Sequence, residues 1–278
     1  MDTIALGDRL VAEIAGYGSV LVAFSGGVDS SLVLAAAARA LGADRVAAMT
    51  AVSASLPAAE RAAAERFCVA LGVAHHRPAT GELRRAGYRE NGPRRCYFCK
   101  STVLDAAVEL AGRHGYDTVA TGTNAADLTA GFRPGIEAAQ ERAVRSPLAD
   151  LGMSKDAVRS VARDWGLRTW DKPAAACLAS RIAYGIEISP ARLARVERAE
   201  RAVRELLARH QPRDLRVRDL GDEVRLEVDA ELVAAALADE ALPGAVRAAG
   251  FGELPVRVAA FRSGSLNDPL RADVPGRA

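Results

Sequence analysis

Residues 19–31 read SVLVAFSGGVDSS, and they constrain this chain more than any other stretch. The run VLVAF carries no polar residue, which suits a strand covered on both faces. A Gly-Gly pair ends it, and SSLVLAAAARAL (30–41) follows as an alanine-rich helix. A buried strand, a tight turn and a helix form the unit from which doubly wound parallel sheets are built. Gly26 and Gly27 lack a Cβ, can reach positive φ cheaply, and let backbone N–H groups approach an anion. Ser25, Ser30 and Ser31 add hydroxyls, and the helix aims its positive end at the loop. Phosphate binding at the carboxyl end of the first strand is the expectation. GxxxxGK[ST] is absent, so this is no Walker loop, and without its lysine γ-phosphoryl transfer is not expected.

The alternation continues through the first half. Strands are predicted at 19–24, 45–52, 73–79 and 117–123, and helices at 3–16, 30–41, 56–72, about 100–114 and 154–166, with Ser154 as N-cap and Gly166 as stop. Beyond residue 187 the pattern changes. SPARLARVERAERAVRELLARH (189–210) reads as one amphipathic helix with Ser189 as N-cap and Pro190 at its first position. LRVRDLGDEVRLEV (215–228) reads as a hairpin, 229–249 as a helix broken near Pro243-Gly244, and PVRVAAF (255–261) as a last strand. The expected architecture is α/β: a doubly wound parallel sheet in residues 1–186, with a second, smaller α+β domain in residues 187–278.

Composition excludes several classes. Lys plus Arg number 37 against 35 Asp plus Glu, so net charge gives no bulk drive toward nucleic acid or an anionic membrane. Four cysteines in 278 residues do not make a secreted disulfide framework. The first residues carry acids and no apolar signal segment, and no apolar run is long enough to span a bilayer. A cytoplasmic protein with reduced thiols is expected.

Those thiols raise a second question. RRCYFCK (94–100) places Cys96 and Cys99 two residues apart among basic residues that favour thiolates. Zinc, redox chemistry, an iron–sulfur cluster or no chemistry are all open for a CxxC pair. Cys177 is a third candidate, whereas Cys68, mid-helix with Phe67 and Leu71 beside it, reads as a core thiol. Other candidates are Arg181, four residues after Cys177, with Ser180 beside it, for an anionic group such as a phosphate. Arg216 and Arg218 alternate on one strand face as a candidate phosphate clamp, with Glu200 to orient them. His75 and His76 read as a solvated strand end.

SGGVDSS resembles the PP-loop of ATP pyrophosphatases, enzymes that adenylate a substrate and release pyrophosphate and have an adenine nucleotide alpha hydrolase-like sheet. The resemblance implies that Asp29 helps hold Mg²⁺-pyrophosphate and that Gly122, Thr123 and Asn124 of TGTNAADL (121–128) lie beside the nucleotide. FRPGIEAAQERAVRSPL (132–148) and WDKPAAACLASRIAYG (170–185) resemble the LarE family, ATP-dependent sulfur transferases of nickel-pincer nucleotide synthesis. The likeness runs from about residue 5 to 262. It implies ATP and Mg²⁺ as cofactors and a small-molecule nucleotide, a pyridinium dicarboxylate mononucleotide, as substrate. It also implies an acyl-adenylate intermediate and Cys177 as the sulfur-bearing residue. Some relatives keep only that cysteine, which gives up its own sulfur; others add a CxxC and are thought to use a cluster. Cys96, Cys99 and Cys177 match the second pattern, with three loop thiolates holding a [4Fe-4S] cluster and leaving one iron open. Partners other than the nucleotide would be copies of the same chain, with no membrane and no nucleic acid. The rival readings are a tRNA thiolase with a PP-loop and a cluster, and an amide-forming ligase of the NAD synthetase type.

Overall fold

The computed structural model describes residues 3–129, 134–173, 176–262 and 264. In chain order the elements are α1 (Thr3–Ala15), β1 (Val20–Ala23), α2 (Val28–Leu41), β2 (Val46–Met49), α3 (Ala58–Leu71), β3 (Ala74–His76), α4 (Ala86–Arg89), α5 (Arg95–His114) and β4 (Thr118–Thr121). Then follow α6 (Ala125–Thr129), α7 (Pro134–Gln140), α8 (Pro147–Asp150), α9 (Lys155–Asp164), α10 (Pro190–Leu206), β5 (Leu215–Asp219), β6 (Val224–Val228), α11 (Val233–Ala238), α12 (Ala241–Val246) and β7 (Val256–Ala260).

Two compact units result, Met1–Arg85 with Cys96–Ala175, and Ala86–Arg95 with Ala176–Ala278. The division therefore lies before residue 186, and an excursion from the first half joins the second unit. Asn91 explains this. It is fully buried, and its Nδ2 donates to the carbonyls of Ile182, Ala183 and Ile186 at 3.3, 2.8 and 3.0 Å. Ile188 N also donates to Arg89 O at 2.8 Å. Such pairing is non-local and leaves no periodic trace.

The first unit is a parallel sheet of order β3-β2-β1-β4. β1 and β2 are buried at every position, because helices cover both faces. Leu10 and Ile14 of α1, Leu32, Val33 and Ala36 of α2, and Val158 and Val161 of α9 close one face with Val20 and Val22. Ala107, Leu110 and Ala111 of α5 close the other with Leu21, Ala47 and Met49. From β1 the chain winds outward to β2 and β3, then returns to lay β4 on the opposite side of β1. The winding reverses at the carboxyl end of β1, where open α/β sheets place ligands.

The second unit has a sheet of order β5-β6-β7, antiparallel then parallel. α10 starts at Ser189, whose side chain accepts from Arg192 N at 3.3 Å, and buries Leu193, Val196, Ala199 and Val203. Ser154 caps α9 in the same way, accepting from Ala157 N at 3.2 Å.

Two elements depart from expectation. RRCYFCK is not a loop: α5 begins at Arg95, so Cys96 and Cys99 lie in its first turns. Nothing in RCYFCKS opposes a helix, and the Gly92-Pro93 pair just upstream marks where it can start. The helical segment after β6 breaks at Asp239, not at Pro243-Gly244. Asp239 is extended, with ψ 99°, and its Oδ1 accepts from Ala241 N at 3.0 Å. Pro243 then falls in the first turn of α12, where a missing N–H costs little.

Gly122 follows β4 and crosses α2 closely. A Cβ there would stand 2.5 Å from Ser30 N and 2.8 Å from Asp29 C, both backbone atoms that cannot yield cheaply. Gly122→Ala should cost about 1–3 kcal/mol in a denaturant titration, the scale of core overpacking, by displacing the start of α2. Unchanged stability would show that the two backbones are not in contact.

Candidate active site

The SGGVDSS loop joins β1 to α2 at the reversal point. Gly26 adopts φ +73°, but Gly27 is extended at φ −84°, ψ 164°, so only the first glycine uses the left-handed region. Gly27 caps α2 without side-chain help, leaving the helix N–H groups aimed at the loop. Ser25 and Ser30 pair through their hydroxyls at 3.1 Å, and Ser30 Oγ donates to Gly27 O at 3.1 Å. Ser25 is exposed and able to meet a ligand. Ser31 is fully buried, and its Oγ has no hydrogen-bond partner among the described residues.

Asp29 is fixed from two sides. Asn124 Nδ2 donates to Oδ1 at 3.0 Å, and Lys155 Nζ donates to Oδ2. Asn124 is itself held as the cap of α6, exchanging hydrogen bonds with Asp127 at 3.2 Å in both directions. Thr123 Oγ1 lies 3.2 Å from Thr121 Oγ1, which lies 3.2 Å from Ser146 Oγ. Gly122, Thr123 and Asn124 therefore stand at the loop, with Gly122 required by backbone approach. A second lysine reaches the loop: Lys172 Nζ donates to Gly26 O at 2.9 Å and to Glu60 Oε2 at 2.6 Å.

Sequence reasoning did not single out Lys155 or Lys172. One signal existed for Lys155, a cation at the first position of α9, where the helix dipole disfavours it unless a carboxylate answers. Lys172 precedes Pro173 in the KPAAAC stretch, of which Ala174 and Ala175 lie outside the described residues, as do residues 130–133 near FRPG. The loop thus gains ammonium groups from distant segments that a Walker lysine would supply locally.

The second unit holds the remaining candidates. Cys177 is half-buried and caps a 3₁₀ turn, Leu178–Arg181. Arg181 is buried, with Nε and Nη2 on the two oxygens of Glu200 at 2.8 and 3.3 Å. Its Nη1 donates to Ala176 O, Cys177 O and Ser180 Oγ at 2.5, 3.1 and 3.1 Å. Glu200, expected to orient Arg216 and Arg218, accepts from Arg181 at 2.8 Å and from Val217 N at 3.1 Å, and its charge also acts on Arg216.

β5 is buried along its whole length, so Arg216 and Arg218 are not on a solvated face. Arg218 places Nε and Nη2 on Glu227 Oε2 at 2.9 and 2.8 Å and Nη1 on Ser180 O at 2.9 Å. Arg216 donates to Leu215 O at 2.8 Å and lies over the Phe261 ring. Burial lowers its pKa, and neighbouring Arg181 adds to the effect. His75 and His76 are half-buried rather than a solvated strand end: His75 Nε2 meets Thr50 Oγ1 at 2.8 Å, and the His76 ring packs at a tilt against His114 with centroids 4.5 Å apart.

Cys96 and Cys99 sit in the first unit, one helical turn apart, Cys96 exposed and Cys99 half-buried. Arg95, just before them in sequence, is buried and donates to Asn91 Oδ1 at 2.7 Å and Ala179 O at 3.1 Å. Among the described residues, no group of three His, Cys, Asp or Glu side chains is placed to hold a metal ion. Neither unit alone supplies the three thiolates of the cluster expectation. Cys68 is a core thiol: burial pushes its pKa up to about 12, so it stays protonated at neutral pH.

The strand-to-helix turn at the reversal point of this parallel sheet, with a carboxylate and lysines set around it, is that of a PP-loop ATP pyrophosphatase, a class that uses ATP. The asparagine synthase family matches residues 8–83, the segment from α1 through β3. An uncharacterised protein of Synechocystis sp., slr1717, is 41% identical over 90% of this chain and 92% of its own. The pyridinium-3,5-bisthiocarboxylic acid mononucleotide synthase of Lactiplantibacillus plantarum is 31% identical over 94% of this chain and 93% of its own. The chain belongs to the family of that synthase, the LarE family. No helix among the described residues is long and apolar enough to cross a membrane.

Two outcomes test the site. Asp29→Ala should abolish pyrophosphate release while leaving the thermal transition in place, because the Asp29 side chain is partly exposed and is held by polar groups, Asn124 and Lys155. Wild-type release from that variant contradicts the assignment. At pH 8, iodoacetamide should label Cys96 in the native protein and spare Cys68, whose thiolate is suppressed by burial. Equal labelling in peptide mass spectra contradicts the burial of Cys68.

Proposed function

We propose that the chain is an ATP-dependent sulfur transferase acting on a pyridinium-3,5-dicarboxylate mononucleotide in nickel-pincer nucleotide synthesis. A carboxylate has no good leaving group, so its oxygen attacks the α-phosphorus of ATP, expelling pyrophosphate and leaving an acyl-adenylate. A sulfur nucleophile then attacks the acyl carbon, AMP departs, and a thiocarboxylate remains once sulfur is freed from its carrier. The observation that carries this reading is the PP-loop, with Asp29 held between Asn124 and Lys155 and with Lys172 on Gly26 O.

The residues divide the work by chemistry. Loop N–H groups, Ser25, Ser30 and the two lysines suit the β- and γ-phosphates, where negative charge grows as pyrophosphate leaves. Asp29 is the loop carboxylate that would hold Mg²⁺, an ion that prefers oxygen ligands and would offset phosphate charge. Gly122, Thr123 and Asn124 suit the nucleoside. Cys177 is the sulfur-bearing residue, assisted by Cys96 and Cys99; thiolates of this number suit a cluster that would supply an open iron for sulfide. Arg216 suits the phosphate of the substrate nucleotide.

The test is to supply ATP, Mg²⁺ and the dicarboxylate mononucleotide to anaerobically purified protein. AMP and pyrophosphate should appear in equal amounts with a thiocarboxylate product. ADP with phosphate, or turnover only with tRNA, contradicts the proposal. The same sample locates the sulfur. Iron and acid-labile sulfide lost on changing any of Cys96, Cys99 or Cys177 to Ala support the cluster. Conversion of Cys177 alone to dehydroalanine after one turnover supports donation of its own sulfur.

A further inference from the structure

Arg181 and Arg218 are both spent on the main chain around Cys177. The Cys177 carbonyl accepts from Ser180 N at 3.0 Å, Ser180 Oγ at 2.7 Å and Arg181 Nη1 at 3.1 Å. The same Arg181 nitrogen takes Ala176 O, so one guanidinium grips the peptides on both sides of the cysteine's Cα. Glu200 holds that guanidinium through both oxygens and ties it to β5 through Val217 N. From the far side of the turn, Arg218 holds Ser180 O while Glu227 fixes Arg218. The side chains of Arg181, Arg218 and Glu227 are 4, 7 and 3% exposed, so little of their hydrogen-bonding capacity faces solvent or a ligand.

We propose that Arg181, Glu200, Arg218 and Glu227 are positioning residues that hold the main chain of Cys177 for sulfur delivery, and are not contacts to the nucleotide substrate. This rests on the sulfur-transfer reading above. Buried charges are retained at a cost when each is paired. Here each carboxylate neutralises a guanidinium whose other donors go to the carbonyls of Ala176, Cys177 and Ser180 and to the Ser180 hydroxyl. Misplacement of a reacting atom by about 1 Å costs on the order of 100-fold in rate, which gives such anchoring a kinetic purpose. Adenylation does not use the thiol. Loosening the turn should therefore uncouple the two half-reactions, with acyl-adenylate lost to water as AMP and free carboxylate.

The experiment compares wild type with Glu200→Gln and Arg181→Lys, neither of which can preserve the two-oxygen pairing. The measured quantity is thiocarboxylate formed per pyrophosphate released. It should fall roughly 10- to 100-fold in both variants, with the Michaelis constant for the mononucleotide unchanged. Ser180→Ala, which removes only the hydroxyl bridge, should lower the same ratio less and provides a variant without a buried charge change. In addition, iodoacetamide labelling of Cys177, with neither ATP nor substrate present, should quicken by about three-fold or more in Glu200→Gln as the half-buried thiol loosens. Labelling of Cys96 should not change. An unchanged ratio with a raised Michaelis constant would make these residues substrate contacts. A proportional fall of both half-reactions would make them merely structural. If wild type releases no pyrophosphate, the functional reading fails, while the labelling comparison still decides whether the network positions Cys177.

Discussion

Burial of β1 on both faces is the constraint from which the first unit's site follows. A strand without a wet face needs helices on either side, and a right-handed crossover supplies them only if the chain leaves and returns above and below the sheet. The winding must then reverse somewhere, and here it reverses beside β1. The loop at its carboxyl end is left open while the strand beneath it is rigid. Ser25, Gly26 and Gly27 occupy that opening, and β4 brings Gly122 and Asn124 to its side. The close approach of Gly122 to Asp29 and Ser30 makes sheet and loop one mechanical piece.

The second unit has the opposite physical character. Its sheet carries charge inside, with Arg216, Arg218, Asp219 and Glu227 all buried. Cross-strand register explains part of this. Glu227 stands opposite Arg216 and diagonal to Arg218, within reach of the latter's long side chain. Asp219 is neutralised by Arg192 and Arg195 from α10, at 2.8 and 2.5 Å. A hydrophobic replacement of comparable volume could stabilise such a core equally well. What an apolar core would lack is the ability to grip the carbonyls around Cys177.

Much of the fold was legible because it is local. Apolar runs marked β1 and β2, Ser154 and Ser189 marked helix starts, and SGGVDSS marked the turn from β1 into α2. What was not legible was non-local. Asn91 sends residues 86–95 into the second unit through carbonyls some ninety positions away. Lys155 and Lys172 reach the loop from distant segments, so a search for a lysine inside the motif could not find them. Alternation correctly put Arg216 and Arg218 on one side of β5, but it could not say that the side was buried. The CxxC looked like a loop because cysteine pairs often are; helix propensity in RCYFCKS is weak either way, and packing of α5 on the sheet settled it.

The central claim is that the PP-loop directs a substrate carboxylate to the α-phosphorus of ATP. The most direct measurement uses a mononucleotide whose carboxylates carry oxygen-18, turned over once in unlabelled water. Attack by the carboxylate predicts one labelled oxygen in the phosphate of AMP and none in pyrophosphate. Unlabelled AMP, or label in inorganic phosphate released with ADP, would contradict it.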